Sequence, residues 1–537
     1  MFPLHTHSTY SLLRGTITVE QLIELAIENG SKYVSLTDTN GMYGLIKFAK
    51  LAVSKNIKPI LGAFIDDPNH KGYYLICIAR NIEGYAQLTK IITARKLEDN
   101  FSLTNLLDED LSNLFLICSS LEFIREARDR IKTLPNFYSE LIITRKMKYR
   151  TRKLYEFSKE NGIKYIASHP TYFEKKEDFI FHKLVRSIKT NTLIENIDKD
   201  ELVDEEYYYK PPSEVKEIWK SLPEAIYNAE YIATEANVNL NLGKYNFPQF
   251  IQPNNRTAIS LLSKIAFHGL SKKILTDTLK ANQRLLYELE VIDELGFSDY
   301  FLIVWDIIME AKRRRILTLG RGSVGDSLVA YALDFTQVNP IKHDLYFERF
   351  LNRGRRSPPD IDIDFSWKER DEMIRYVFEK YGYEKVAMIS TIITFRARSA
   401  FRETAKAFGI SKSEISQYSK QIPWTSAKNL DKLSDKFPEA KSLDFSKEPW
   451  KSIVKFASRL DSFPHHLSIH PSGIVIAPTP ITNYTALEYA SNKGLGMIIT
   501  QLDMYSIEDV GLLKIDLLSQ RSLGVLRDTI ESINSNG

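Results

Sequence analysis

Three aspartates alternate with apolar residues in Pro359-Asp360-Ile361-Asp362-Ile363-Asp364-Phe365, and this is where the chain could do chemistry. Read as a β-strand, with side chains on alternating faces, the run puts Asp360, Asp362 and Asp364 on one face. Ile361, Ile363 and Phe365 then turn toward a core. Like charges side by side destabilise a sheet, and a divalent cation relieves that repulsion. Cα atoms two residues apart on a strand are roughly 6.5 Å apart. At that spacing two carboxylates can grip a pair of metal ions about 3.5–4 Å apart, the geometry of two-metal phosphoryl transfer. A strand edge charged against aggregation would carry the same pattern. The setting favours the metal: Arg349, Arg353, Arg355 and Arg356 come just before it. Cations beside a hard-cation site suit a polyphosphate or a nucleic-acid backbone.

A second constellation is Gly320-Arg321-Gly322-Ser323-Val324-Gly325-Asp326-Ser327, between apolar Ile316-Leu317 and helical Leu328-Val329-Ala330-Tyr331. Glycines let a backbone approach an anion, amides at a helix N-terminus point toward one, and Ser323 and Ser327 add hydroxyl donors. A tight turn with an N-cap would look similar, but Arg321 favours a phosphate. The GKS/T ending of a Walker loop is missing. Lys514-Ile515-Asp516 offers another carboxylate with a cation on the same strand face. His465, His466 and His470 have the spacing of a metal cluster without an accompanying cysteine or carboxylate pattern. Phosphate or backbone hydrogen bonding is favoured there over zinc.

The elements that must position these groups span 537 residues, enough for two to four domains. No segment is long and apolar enough to span a bilayer, and the N-terminus lacks the basic and apolar regions of a signal peptide. Cys77 and Cys118 both sit in apolar runs, which predicts buried, inert thiols and fits a reducing cytoplasm. The net charge of +4 says little, but Lys312-Arg313-Arg314-Arg315 and Arg353-Gly354-Arg355-Arg356 suggest a polyanion groove. Early in the chain, strands and helices alternate. Thr18-Val19-Glu20-Gln21 forms a capping box before a helix that stops at Gly30, and Tyr33–Thr37 is a short buried strand ending at Asp38. A second helix follows Gly44, and strands are expected at Pro59–Gly62, Tyr73–Ala79, Leu114–Cys118 and Lys164–Ala167. The rhythm breaks at a Pro/Asn-rich linker reaching Pro253-Asn254-Asn255. From Ala258 the pattern is mainly helical, residues 395–460 are polar and helical, and a strand returns at Ser472–Pro478.

Together these stretches resemble the alpha subunits of bacterial DNA polymerase III, the C-family polymerases. The resemblance rests on Gly296-Phe297-Ser298-Asp299-Tyr300-Phe301-Leu302-Ile303-Val304-Trp305-Asp306, on Gly320–Ser323 with Ser327–Tyr331, and on Phe347-Glu348-Arg349-Phe350-Leu351-Asn352. It continues through Pro359–Phe365, His470-Pro471-Ser472-Gly473 and Lys514–Asp516. It implies a multidomain α/β and α+β protein with a polymerase-beta-like nucleotidyltransferase palm and a helical thumb insertion. The palm would hold two Mg2+ ions on Asp362, Asp364 and Asp516, with Asp360 in a structural role. By the same analogy Arg321, Gly322 and Ser323 would hold the triphosphate, Arg349 and Lys514 would neutralise it, and His470 would contact phosphate or backbone. Asp326 departs from the family, which commonly has a small uncharged residue there.

Met1-Phe2-Pro3-Leu4-His5-Thr6-His7-Ser8 is similar to the opening of the polymerase-and-histidinol-phosphatase (PHP) domain, a distorted (β/α)7 barrel. His5, His7 and Asp38 match its metal ligands. The other ligand positions are changed: Arg14, Thr39, Phe64 and His169-Pro170-Thr171 stand where acids and histidines belong. The expectation is a structural barrel without PHP metals, phosphoesterase or proofreading exonuclease activity. Domains are expected at 1–243 (barrel), 244–394 (palm), 395–471 (thumb) and 472–537 (palm, second part). The resemblance implies a cytoplasmic DNA-directed DNA polymerase acting on primer-template DNA and dNTPs, with other replisome subunits or a separate C-terminal half as partners and no membrane. Fingers and later regions of the family cannot be fitted, so the chain is expected to be a fragment or one part of a split enzyme. A non-catalytic DNA-binding or assembly subunit is the alternative, and a PHP phosphoesterase is a weaker one.

Overall fold

Short apolar runs alternating with amphipathic helices produce the first of two units in a computed structural model, which describes residues 2–250, 257–273, 278–354, 358–490 and 497–536. Pro253-Asn254-Asn255 and the cations Arg355 and Arg356 fall outside these residues. One unit comprises Met1–Leu240, Thr391–Ser468 and Thr482–Gly496, the other Asn241–Ser390, Ile469–Ile481 and Met497–Gly537.

In the first unit, β1 (Tyr33–Thr39), β2 (Lys58–Asp66), β3 (Tyr74–Ala79), β4 (Leu114–Cys118), β5 (Phe137–Ile142) and β6 (Lys164–Ser168) lie in sequence order in one half-barrel sheet. All pairs are parallel except those made by β3. The Thr18 capping box forms: Gln21 N donates to Thr18 Oγ1 at 3.2 Å and Thr18 N to Gln21 Oε1 at 2.9 Å, opening the helix Val19–Glu28. Gly30, just past its end, has a left-handed φ of +61°. The N-terminal segment joins two distant parts of the sheet. Thr37 N donates to Thr6 O at 2.8 Å, His7 N to Thr171 O at 2.9 Å and Thr171 N to His5 O at 2.9 Å. His5 and His7 are buried as a result. Within the same unit, the helices Ala397–Ala407, Lys412–Gln421 and Trp450–Arg459 bury Phe401, Ile415 and Ile453 with Phe181 and Leu184 of the helix Phe179–Thr190. Arg459 pairs there with Asp178 at 2.7 Å. β11 (Leu487–Tyr489) is tied to the helix Ile82–Leu97 by Leu487 N donating to Thr93 Oγ1.

The second unit is built on β7 (Thr318–Arg321), β8 (Asp362–Ser366), β9 (Val386–Thr394), β10 (Pro464–Ile476), β12 (Ile498–Asp503) and β13 (Lys514–Gln520), in the order β12-β9-β10-β13-β8-β7. Parallel pairing sets Asp516 beside Asp362, and antiparallel pairing sets Arg321 opposite Asp362 and Gly473 opposite Asp516. Ile361, Ile363 and Phe365 are buried, as strand alternation requires. Asp360 differs: it is exposed and precedes the strand. The helix Ser298–Arg313 buries Tyr300, Phe301, Ile303 and Val304. Among the described residues, no helix is long and apolar enough to cross a membrane.

Candidate active site

The acids come from β8, β13 and the turn before β8. Oxygens of Asp360, Asp362 and Asp516 lie within 4.8 Å of one another. Burial, then repulsion from Asp360 and Asp516, raises the Asp362 carboxyl above its ordinary value. Asp364 is only 4% exposed, burial raises its carboxyl too, and its Oδ1 has no hydrogen-bond partner. Arg321 Nε stands 3.6 Å from that oxygen and 3.8 Å from Asp362 Oδ2, within ion-pair range but beyond hydrogen-bonding distance. A buried, unsatisfied carboxylate oxygen is costly. The converging oxygens of Asp360, Asp362 and Asp516 are hard donors that suit Mg2+ or a similar cation, so the residues present fit a divalent metal. Asp360, given a structural role from sequence, is the third member of the converging group, while Asp364 turns toward Arg321 and Gln520. Tyr300 is buried nearby, and burial followed by the charges of Asp360, Asp516 and Asp362 drives its phenol pKa up.

Asp516 is held from two sides. Ser472 Oγ donates to its Oδ1 at 2.7 Å, and Lys514 Nζ contacts its Oδ2 at 2.6 Å. Burial opposes the charge on Lys514, but the bond to Asp516 outweighs it and raises the ammonium pKa. His470 Nδ1 accepts the amides of Gly473 at 2.8 Å and Ser472 at 3.3 Å. The backbone hydrogen bonding foreseen for this histidine is therefore present, and it leaves the proton of the neutral ring on Nε2. Burial lowers the His470 pKa. His465 and His466 pair with each other, Nδ1 to Nδ1, at 2.8 Å. Gly322, with φ of +70°, and Ser323 follow Arg321 in a 3-10 turn.

One sequence reading needs correction. The helix after the glycine loop, Leu328–Ala332, does not offer its N-terminus to an anion. Buried Glu288 accepts Leu328 N and Val329 N at 3.0 Å each and Ser327 Oγ at 2.8 Å, and receives Arg284 Nε at 2.6 Å. A carboxylate of the protein already occupies that anion position. Of the basic runs, Arg314 pairs with Glu310 and Glu372, Lys312 with Asp334, and Arg353 with Glu294, while Arg355 and Arg356 lie outside the described residues. Arg349 is highly exposed, with Asp326 Oδ2 3.8 Å away, so the buried Asp326 carboxylate has its own cation. Local sequence gave no signal for Glu288. Ser472 lay inside a quoted motif without a role.

In the half-barrel, His5, His7 and Asp38 are hydrogen-bonded to neighbouring side chains. His5 Nδ1 pairs with buried Glu140 at 2.8 Å and its Nε2 lies 3.1 Å from His7 Nε2, while His7 Nδ1 bonds Ser11 Oγ at 2.8 Å. Asp38 accepts Ser8 N, Ser8 Oγ and Ser11 Oγ. Burial pushes the Asp38 carboxyl up to about 6. For Glu140, burial is outweighed by His5, Ser168 and Tyr74, which hold its carboxyl low. The Arg14 guanidinium lies 5.5 Å from the Phe64 ring and 5.8 Å from that of Tyr172. Burial, His5 and Arg14 depress the His7 pKa well below its usual value. Cys77 and Cys118 are buried, and burial raises the Cys77 thiol to about 12.

Comparison with known proteins matches two families on this chain. Residues 260–519 match the bacterial DNA polymerase III alpha NTPase domain and residues 3–126 match the PHP domain. The chain is 34% identical over 559 aligned residues to the DNA polymerase III subunit alpha of Bacillus subtilis, an alignment covering 99% of this chain and 49% of the relative. It is 31% identical to the error-prone DNA polymerase of Symbiobacterium thermophilum, covering 99% and 52%. The DNA polymerase III subunit alpha of Aquifex aeolicus is 29% identical, covering 98% and 51%. The chain spans about half the length of the curated relatives it matches.

Proposed function

Because the chain belongs to the bacterial DNA polymerase III alpha family, we propose that its second unit carries the nucleotidyl-transfer centre of a DNA-directed DNA polymerase. Asp362, Asp364 and Asp516 would hold two Mg2+ ions. The observation that carries the reading is the pairing of β13 with β8, which sets Asp516 beside Asp362 although the two are far apart in sequence. Magnesium bound there supplies charge neutralisation and lowers the pKa of an attacking hydroxyl. The protein's own groups do the rest. Lys514 and Arg321 balance the acids without nucleotide and are placed to meet a triphosphate. His470 offers its Nε2 proton to a phosphate oxygen, and Gly322 and Ser323 present an open backbone turn beside Arg321. Residues 244–394 and 472–537 form the palm in this reading, and 395–471 the thumb that grips duplex DNA. Primer-template DNA and dNTPs are the substrates, and other replisome subunits or a C-terminal half complete the enzyme.

The half-barrel is read as a degenerate PHP module, a distorted (β/α)7 barrel closed by residues 5–7. His5 Nδ1 and Asp38 are already hydrogen-bonded within it, and Arg14 places a cation close by. Primer extension with Mg2+ and four nucleotides tests the proposal, with the chain alone and supplemented with a C-terminal half from a relative. Extension that Asp362→Asn abolishes supports it. Folded protein that binds duplex DNA but never extends a primer in either mixture would support an assembly role instead.

A further inference from the structure

The contacts around Asp516 follow from how β10 ends its pairing. Antiparallel pairing of β10 with β13 covers Gly473–Val475 and stops at Gly473, opposite Asp516. Just before it, His470 Nδ1 accepts the amides of Ser472 and Gly473. The packing there is tight: a Cβ at Gly473 would meet His470 Nδ1 at 3.0 Å and Ile389 Cδ1 at 3.1 Å. Arg370 then fastens this segment to β13. Its Nη2 donates to Pro471 O at 2.6 Å and its Nε to Leu517 O at 2.7 Å. One guanidinium thus bridges the residue before Ser472 and the residue after Asp516. Between these anchors Ser472, 3% exposed, donates its hydroxyl to Asp516 Oδ1 at 2.7 Å. His470 Nδ1 is 3.4 Å from the same hydroxyl but already accepts two amides, so the serine proton belongs to the carboxylate.

We infer that Ser472 is a positioning residue, held by His470 and Arg370, that fixes Asp516 Oδ1 and leaves Oδ2 as the oxygen shared between Lys514 and a bound cation. This rests on the metal centre proposed above. A hydrogen-bonded carboxylate ligand presents one defined oxygen, and losing such a partner typically costs about 10–100-fold in metal affinity.

Mn2+ binding to the intact chain, followed by electron paramagnetic resonance without DNA or nucleotide, tests the inference. Four proteins are compared: wild type, Asp362→Asn, Ser472→Ala and Ser472→Thr. The expected result is that Asp362→Asn abolishes the tight site, Ser472→Ala weakens it about tenfold or more, and Ser472→Thr restores it within a fewfold of wild type. If Asp362→Asn leaves Mn2+ binding unchanged, the centre itself is wrongly assigned. If Asp362→Asn abolishes binding but Ser472→Ala binds within twofold of wild type, the centre stands and the role of Ser472 falls. Equal loss in folded alanine and threonine variants would show that side-chain volume matters rather than the hydroxyl, and would overturn the inference. Should the alanine variant not fold, Ser472→Cys, near in size but a weak donor, takes its place with the same expectations.

Discussion

The half-barrel and the sheet of the second unit each gather acids and basic groups in a buried setting, yet they differ in how those groups are partnered. In the half-barrel His5 has Glu140, His7 has Ser11, and Asp38 takes three donors from Ser8 and Ser11. In the second unit Asp364 Oδ1 has no hydrogen-bond partner, and Asp362 is raised by burial and by neighbouring carboxylates. The first cluster is knit together by hydrogen bonds among its own side chains, whereas the second leaves a buried carboxylate oxygen without one.

The largest expected contrast is in chemistry. Asp362→Asn or Asp364→Asn should lower primer extension in the supplemented enzyme by about 1,000-fold or more, roughly 4 kcal/mol of transition-state stabilisation, with duplex affinity largely kept. His7→Ala should leave extension unchanged. Metal-dependent phosphatase or 3′-exonuclease turnover that His7→Ala removes would show the half-barrel to be a working centre and end the comparison.

Stability should contrast with the opposite sign. Glu140→Ala removes one partner of a buried pair and should cost about 3–5 kcal/mol, read from the urea midpoint. Asp364→Asn should leave stability equal or raised, because burial disfavours that carboxylate in the folded state. Equal losses in both variants would erase the distinction.

Asp360→Asn sharpens the picture at about tenfold. Weakened Mn2+ affinity would make Asp360 part of the ligand group; unchanged affinity would return it to a structural role. The smallest effect is in pH. Asp362 and Asp364 carry raised carboxyl pKa values, so they hold protons to higher pH than ordinary aspartates, at about 4. Protons compete with the metal, so Mn2+ affinity should begin to fall on acidification while the pH is still above that range. A titration flat down to pH of about 4 would contradict the shifts.

Much of the local structure was legible because it depends on neighbours in sequence. Thr18 and Gln21 sit three residues apart and cap a helix on their own. Leu114–Cys118 is a buried strand as its composition requires, and the isoleucines between the aspartates of β8 point inward. The glycine loop misled because its donors were visible and their acceptor was not: Glu288 lies 39 residues before Ser327 and nothing near it marks it as the acceptor. Glu140, which satisfies His5 from 135 residues away, was equally hidden.

The sequence by itself determined which strands form, which faces they bury, and that aspartates alternate on one of them, since these follow from periodicity and capping within a few residues. Only the tertiary structure decided that Asp516 stands beside Asp362, that Ser472 and Arg370 brace it, and that the half-barrel histidines bond Glu140 and Ser11. Strand register and long-range hydrogen bonds set those relations, and both arise from packing between segments that carry no record of each other in their own residues.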